Sequence, residues 1–184
     1  VEDNYANLND RSIEGNDLGV YYDVDTAFGS FSLKHQVSML TKREQLYGET
    51  LRTLDTAMQV VNLPLTAITG FGDLLAVDGA PKRKSYTSLR FRSGDWAVGV
   101  NQNARSSVYE SRTVARAGEM WQVRPFKTRN VYADYYTEFD DADLRIRLGI
   151  NNWDDKRAPL ASSRQGYFED LDNNLRRNFY LDFR

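Results

Sequence analysis

The sequence predicts an all-β fold, an antiparallel up-and-down meander of about seven strands. Three observations carry that prediction: apolar residues recur with a period of two along the chain, connections alternate between short and long, and aromatic residues gather beside the short ones. Successive strand residues point to opposite faces, so a period of two separates an apolar face from a polar one.

The first strand runs from Asp17 to Asp25, with Leu18, Val20, Tyr22 and Val24 on one face and Asp17, Gly19, Tyr21 and Asp23 on the other. After a turn at Thr26 to Gly29, the apolar set resumes as Phe31, Leu33, Val37 and Met39 against Ser32, Lys34, Gln36 and Ser38, with His35 the exception on the apolar side. The third and fourth strands, Ser85 to Arg92 and Asp95 to Arg105, flank Ser93, Gly94 and Asp95, a tight turn in which glycine accepts positive φ. In the fourth, Trp96, Val98 and Val100 oppose Ala97, Gly99, Asn101 and Asn103. A fifth strand is expected from Gln122 to Thr137, followed by an acidic turn at Asp140, Asp141 and Asp143. The sixth has the cleanest pattern, Leu144, Ile146, Leu148 and Ile150 alternating with Arg145, Arg147, Gly149 and Asn151, and the seventh ends the chain with Phe179, Leu181 and Phe183 opposite Tyr180 and Asp182.

The short connections lie at Thr26 to Gly29, Ser93 to Asp95 and Glu138 to Asp143; the long ones span Gly48 to Lys84, Glu110 to Met120 and Asp154 to Asn174. Short turns on one rim and long loops on the other are the pattern of a bacterial outer-membrane barrel. Phe28, Phe31, Phe91, Trp96, Tyr136, Phe139 and Phe183 lie beside the short turns or at the chain end, where an interfacial girdle is expected.

Composition excludes several classes. With 24 basic and 26 acidic residues, the net charge of -2 supplies no field to attract nucleic acid. The absence of cysteine removes disulfides, thiolate metal sites and cysteine nucleophiles. Mean hydropathy is -0.62, and the most apolar stretch, Met58 to Val77, is broken by Asn62, Pro64, Gly70, Gly72 and Asp73, so it reads as a loop or short surface helix. That excludes helical membrane spans only, because a barrel strand exposes alternate residues to lipid and a barrel with polar loops is this hydrophilic. The chain opens on Val1 with neither a charged nor an apolar leader segment, as expected where a signal segment has been removed or, the reading favoured, where the chain is a fragment.

The segment LRIRLGINNWDDKRAPLASS, beginning at Leu144, resembles the penultimate strand of TonB-dependent outer-membrane receptors, an alternating strand followed by G-V/I-N-N, an aromatic or apolar residue and D-x-x-P-P or a variant; Gly149, Asn151, Asn152, Asp154, Lys156 and Pro159 match. GYFEDLDNNLRRNFYLDFR is similar to that family's last extracellular loop and closing strand, and NLNDRSIEGNDLGVYYDVDTAFGSFSL to its strand pair S-x-E-G-x-D-L-G. Two departures stand out: Arg184 follows Phe183 where the family ends on an aromatic residue, and no amino-terminal plug or TonB box is present.

The resemblance implies that residues 1–184 are the carboxy-terminal portion of a 22-stranded transmembrane β-barrel, here strands sixteen to twenty-two, with Val1 to Asp10 the tail of an extracellular loop. It implies a non-enzymatic role in active uptake of a scarce nutrient of the iron-siderophore, cobalamin or oligosaccharide class. Location would be the bacterial outer membrane, and the partners would be lipid, the rest of the barrel, the plug, TonB through the plug, and a small-molecule ligand. The alternatives are a soluble all-β binding module, a sandwich burying Leu144, Ile146 and Leu148 with Trp96 and Phe183 inside, and a small self-standing barrel, which an odd strand count disfavours.

Chemistry-bearing residues are few. Arg90, Arg92, Arg145 and Arg147, with Asp17, Asp23, Asp134 and Asp182, fall on the polar face, where they contact a plug or ligand or pair with each other across strands. His35 is the only histidine and no nucleophile-elbow serine accompanies it, so it reads as membrane-facing or interfacial. Asp140, Asp141 and Asp143 lack the spaced ligands of a calcium loop, and Gly70 to Gly72 precedes no phosphate-loop lysine. No catalytic residue, cofactor or metal site is expected. If Leu148 faces lipid and Arg147 a wet lumen, Leu148→Arg should cost more stability than Arg147→Leu, and the sheet should remain open at both edges.

Overall fold

The computed structural model describes residues 11–46, 71–116, 119–139, 142–162 and 165–184, with a few isolated positions between 48 and 57. It is all-β. The strands are β1 (Arg11–Thr26), β2 (Gly29–Gln45), β3 (Gly72–Asp73), β4 (Arg83–Ser93), β5 (Trp96–Arg105), β6 (Val108–Arg116), β7 (Glu119–Val123), β8 (Phe126–Phe139), β9 (Ala142–Asn151) and β10 (Asn178–Phe183). The main sheet runs β1-β2-β4-β5-β8-β9-β10, every neighbour antiparallel, with β3 added beside the far end of β2. Its path is therefore the expected seven-stranded meander. Among the described residues β1 and β10 share no ladder, so the sheet is open with an edge at each.

Register makes the faces continuous. Val24, Phe31, Phe91, Val98, Ala133, Leu148 and Leu181 form one apolar row across seven strands, and Tyr22, Leu33, Leu89, Val100, Val131, Ile150 and Phe179 form the next. Two glycines shape the tight end. Gly29 has φ +145, and a Cβ there would sit 2.2 Å from the Arg92 carbonyl oxygen; Gly94 has φ +55. Both positions call for a residue without a side chain.

Two expectations need correction. The strand predicted from Gln122 to Thr137 is two strands: β7 ends at Val123, and β8 starts at Phe126. Between them Pro125 has no amide hydrogen to donate to a ladder. The connection from Glu110 to Met120, expected as a loop, is mostly strand, because β6 and β7 form a hairpin with two register irregularities. Strands β1 and β2 also extend beyond their predicted limits. Val1 to Asp10, all of Met58 to Gly70, and Asp140 and Asp141 lie outside the described residues.

The sandwich alternative fails on burial, since Trp96 and Phe183 are each 59% exposed and no second sheet covers the main one among the described residues. Among the described residues the buried apolar side chains are Ala76, Val77, Ala97, Val108 and Val123. Apart from Ala97, they cluster where the β6–β7 hairpin meets residues 76–77, joined by the Val77–Tyr109 bridge. Among the described residues the core therefore lies mainly at the long-loop end.

Candidate functional site

The polar face of the main sheet divides into two zones. Toward the short turns it is charged. The Asp134 carboxylate, 0% exposed, accepts two hydrogen bonds from Arg147, from Nε at 2.6 Å and Nη2 at 2.9 Å. The Tyr136 hydroxyl donates to Asp134 Oδ2 at 3.2 Å and accepts from Arg90 Nη2 at 2.7 Å. Arg145 Nη2 donates to Asp182 Oδ2 at 2.9 Å, and Arg184 approaches the same carboxylate at 3.4 Å. The Arg147 guanidinium lies 3.9 Å from the centroid of the Tyr132 ring. That ring in turn covers Gly99, and Tyr180 covers Gly149: a Cβ at either glycine would come within 2.3 Å of the ring above it. Alternation along β5 and β9 supplies small residues where β8 and β10 supply tyrosines.

The eight polar-face candidates thus separate. Asp134 pairs with Arg147 and Asp182 with Arg145, while Arg90 and Arg92 contact Tyr136 and no carboxylate among the described residues. Asp17 borders a cavity toward the loops, and Asp23 makes no ion pair among the described residues. The expectation that Arg147→Leu is the cheaper change needs correction, because it leaves the wholly buried Asp134 carboxylate without its cation.

Toward the long loops the polar face lines an open cavity of about 930 Å³, bordered by Tyr21, Gln36, Tyr86, Asn103, Thr128 and Asn173 together with the charged Asp17, Lys84, Arg105 and Asp172. Its roof is held by the ion pair of Arg105 and Asp172, whose side chains are 6% and 1% exposed; Arg105 Nε donates to Asp172 Oδ1 at 2.6 Å. Arg105 Nη1 donates to the carbonyls of Ser106 and Arg124, at 2.9 and 3.1 Å.

The loop after β9 is cross-linked to itself. Asn152, at φ 49, donates to the Lys156 and Leu175 carbonyls at 2.7 and 3.2 Å and accepts from the Lys156 amide at 3.0 Å. Asp155, at φ 53, takes the Arg176 guanidinium on both oxygens and the Arg177 amide at 3.0 Å. The Arg176 hydrogen bond, then the Arg177 amide, hold its carboxyl well below the usual carboxylate range. Buried Glu110 on β6 accepts from the Ser162 amide with both oxygens, at 2.8 and 3.0 Å. None of Arg105, Glu110, Asn152, Asp155 or Asp172 was singled out for these contacts by alternation. The available signal was Asn-Asn and Asp-Asp directly after a strand, residue types that tolerate positive φ and cap their own backbone.

The apolar face carries no packed partner among the described residues. Leu148 is 60% exposed, and Tyr22, Leu89, Val98, Phe179 and Leu181 are exposed around it. His35, on this face, shares a hydrogen bond of 2.9 Å with the Thr87 hydroxyl. Trp96 and Tyr135 stack near the turn end, centroids 4.7 Å apart, and Phe31 and Phe91 at 4.5 Å.

The apolar runs on β1 and β9 are offset along the strands, while those on β5 (Trp96 to Val100), β8 (Val131 to Tyr135) and β10 (Phe179 to Phe183) are centred on the Val24–Leu148 row. Val24 and Leu148 share a row, yet the apolar run on β1, Leu18 to Val24, rises from that row toward the loops, while the run on β9, Leu144 to Ile150, straddles it. Their midpoints differ by four residues, roughly 13 Å along the strands over roughly 24 Å of sheet width, a slope of about 30°.

Among the described residues no group of three or more acidic or histidine side chains is placed to hold a metal ion. The fold and this face define an open antiparallel β-meander with one apolar and one polar surface. No family profile, no curated protein and no solved structure matches the chain.

Proposed function

We propose that this chain is the carboxy-terminal part of the wall of an outer-membrane receptor barrel of the TonB-dependent type, acting in active uptake of a scarce nutrient such as an iron-siderophore, cobalamin or an oligosaccharide. The observation that carries the membrane assignment is the exposed apolar belt, whose runs on β1 and β9 are offset along the strands. Strands of a transmembrane barrel are tilted about 35–45° from the membrane normal, so a lipid-facing band of constant depth must cross the strand register at a comparable slope. A soluble sheet has no reason to leave that belt uncovered, since exposed apolar patches of this extent mark an interaction surface. Short turns fall on one rim and the loop-end cavity on the other, consistent with a periplasmic and a ligand-receiving end. The edges β1 and β10 offer unpaired backbone groups to the remaining strands of a closed wall. The receptor type, the plug and coupling to TonB rest on the motif resemblance alone.

The chain has no cysteine, so single-cysteine spin labels can be placed without background. In the intact protein reconstituted in lipid, labels at Leu144, Ile146, Leu148 and Ile150 should be relaxed by oxygen, which partitions into hydrocarbon. Labels at Arg145 and Arg147 should not. If the four apolar positions instead respond to a water-soluble relaxant, this sheet does not face a bilayer.

A further inference from the structure

The turn end of the polar face holds more guanidinium than its carboxylates use. Asp134 is taken by Arg147, and Asp182 is shared by Arg145 and Arg184. Arg90 and Arg92 flank Tyr136 on β8, Arg92 with its guanidinium 4.6 Å from the ring centroid and Arg90 donating to the hydroxyl. Arg145 sits opposite Tyr136 in the β8–β9 register. The Nε atoms of Arg90 and Arg145 are both shielded from solvent and have no hydrogen-bond partner. The nearby acidic residues of the turn rim, Asp95, Glu138 and Asp143, are exposed, and none forms an ion pair with these arginines.

Desolvated guanidinium N–H groups without an acceptor are costly, and guanidinium is the side chain whose planar fork matches an oxyanion in bidentate fashion. We propose that Arg90, Arg92 and Arg145, arranged around Tyr136, form a binding site for an oxyanion of the carboxylate or phosphate class. Arg90 and Arg92 supply the fork, the Tyr136 ring fixes their separation by stacking, and Arg145, already engaged by Asp182, adds positive potential and a free Nε. The adjoining Asp134–Arg147 pair is internally neutral and keeps the site from being neutralised from that side. The site stands on this geometry whether or not the opposite face meets lipid.

The test is an unfolding titration of the intact folded protein with inorganic phosphate and, separately, with succinate, each against sodium chloride at matched ionic strength. A ligand that binds only the folded state raises the denaturation midpoint in a saturable way. Saturation with phosphate, with succinate or with both is the expected result, and the more effective probe names the source of the oxyanion. In Arg90→Gln/Arg92→Gln the apparent affinity should fall by roughly tenfold or more. A rise no larger than that with chloride, or one unchanged in the variant, overturns the site. Should the double glutamine variant not fold, Arg90→Lys/Arg92→Lys keeps both charges and loses both forks: weakened binding supports the site, and undiminished binding overturns it.

Discussion

Neighbouring residues on β9 live under opposite rules. Leu148 points to a face where nothing packs among the described residues, and Arg147, one residue earlier, points to a face where it neutralises the buried Asp134 carboxylate. On the apolar side stability has to come from what surrounds the sheet. On the polar side it comes from inside the sheet, through ion pairs and tyrosines laid over glycines. A sheet one layer thick can therefore be stable only where its apolar side is covered, and the polar side fixes which strands are neighbours.

Breaking the polar side should have the largest effect. Arg147→Leu strands a fully buried carboxylate, for which the cost is about 3–5 kcal/mol as an upper bound, reduced here because Arg147 is itself about a quarter exposed. Denaturant titration of the intact protein refolded in lipid measures it, and adding Asp134→Asn should recover much of the loss. Leu148→Arg comes next, at roughly 2–4 kcal/mol if the position lies near the bilayer midplane. Its cost should shrink when the same titration is run in a thinner bilayer, whereas that of Arg147→Leu should not.

Gly149→Ala sharpens the comparison one residue further along β9, back on the polar face. The new methyl group would meet the Tyr180 ring at 2.3 Å, so the ring must move, at a cost of about 1–3 kcal/mol. Pairing with Tyr180→Ala should remove most of that penalty, because the clash is with a side chain and not with backbone.

The smallest effect belongs to the loop. Since the folded-state carboxyl of Asp155 is held below its ordinary value of 3.8, its contribution is fully present above that value and is lost as pH falls through the depressed one. The protection of the Arg177 amide, its exchange rate taken relative to the intrinsic rate at the same pH, should therefore be unchanged from neutral pH down to about pH 5 and fall only in strong acid. Asp155→Asn should produce the faster exchange at neutral pH.

Much of the sheet was legible because a period of two is a local signal. It placed Leu148 and Arg147 on opposite faces and located the tight turn at Gly94. Pro125 was an equally local signal for the break between β7 and β8. The β6–β7 hairpin was obscured because Glu110, Arg112 and Arg116 interrupt the apolar alternation. The loop-end contacts were beyond reach for a different reason. Arg105 meets Asp172 and Glu110 meets Ser162 across sequence separations of 67 and 52 residues, and no periodicity encodes such a pairing. The ion pairs of the polar face lie between these cases: alternation put Asp134 and Arg147 on one side, but only the register showed them to be direct partners.

The central claim is that the belt lies at constant depth in a bilayer while the strands cross it at a slope. Val24 and Leu148 occupy the same row and Tyr22 and Ile146 lie two rows apart, so the depth of spin labels at these four positions, measured in the intact protein in lipid, separates a tilted membrane sheet from every alternative. Equal depth for Tyr22 and Ile146, with Val24 and Leu148 differing by roughly 10 Å, is the predicted result. Equal depth for Val24 and Leu148, or no depth gradient at any of the four, would contradict it.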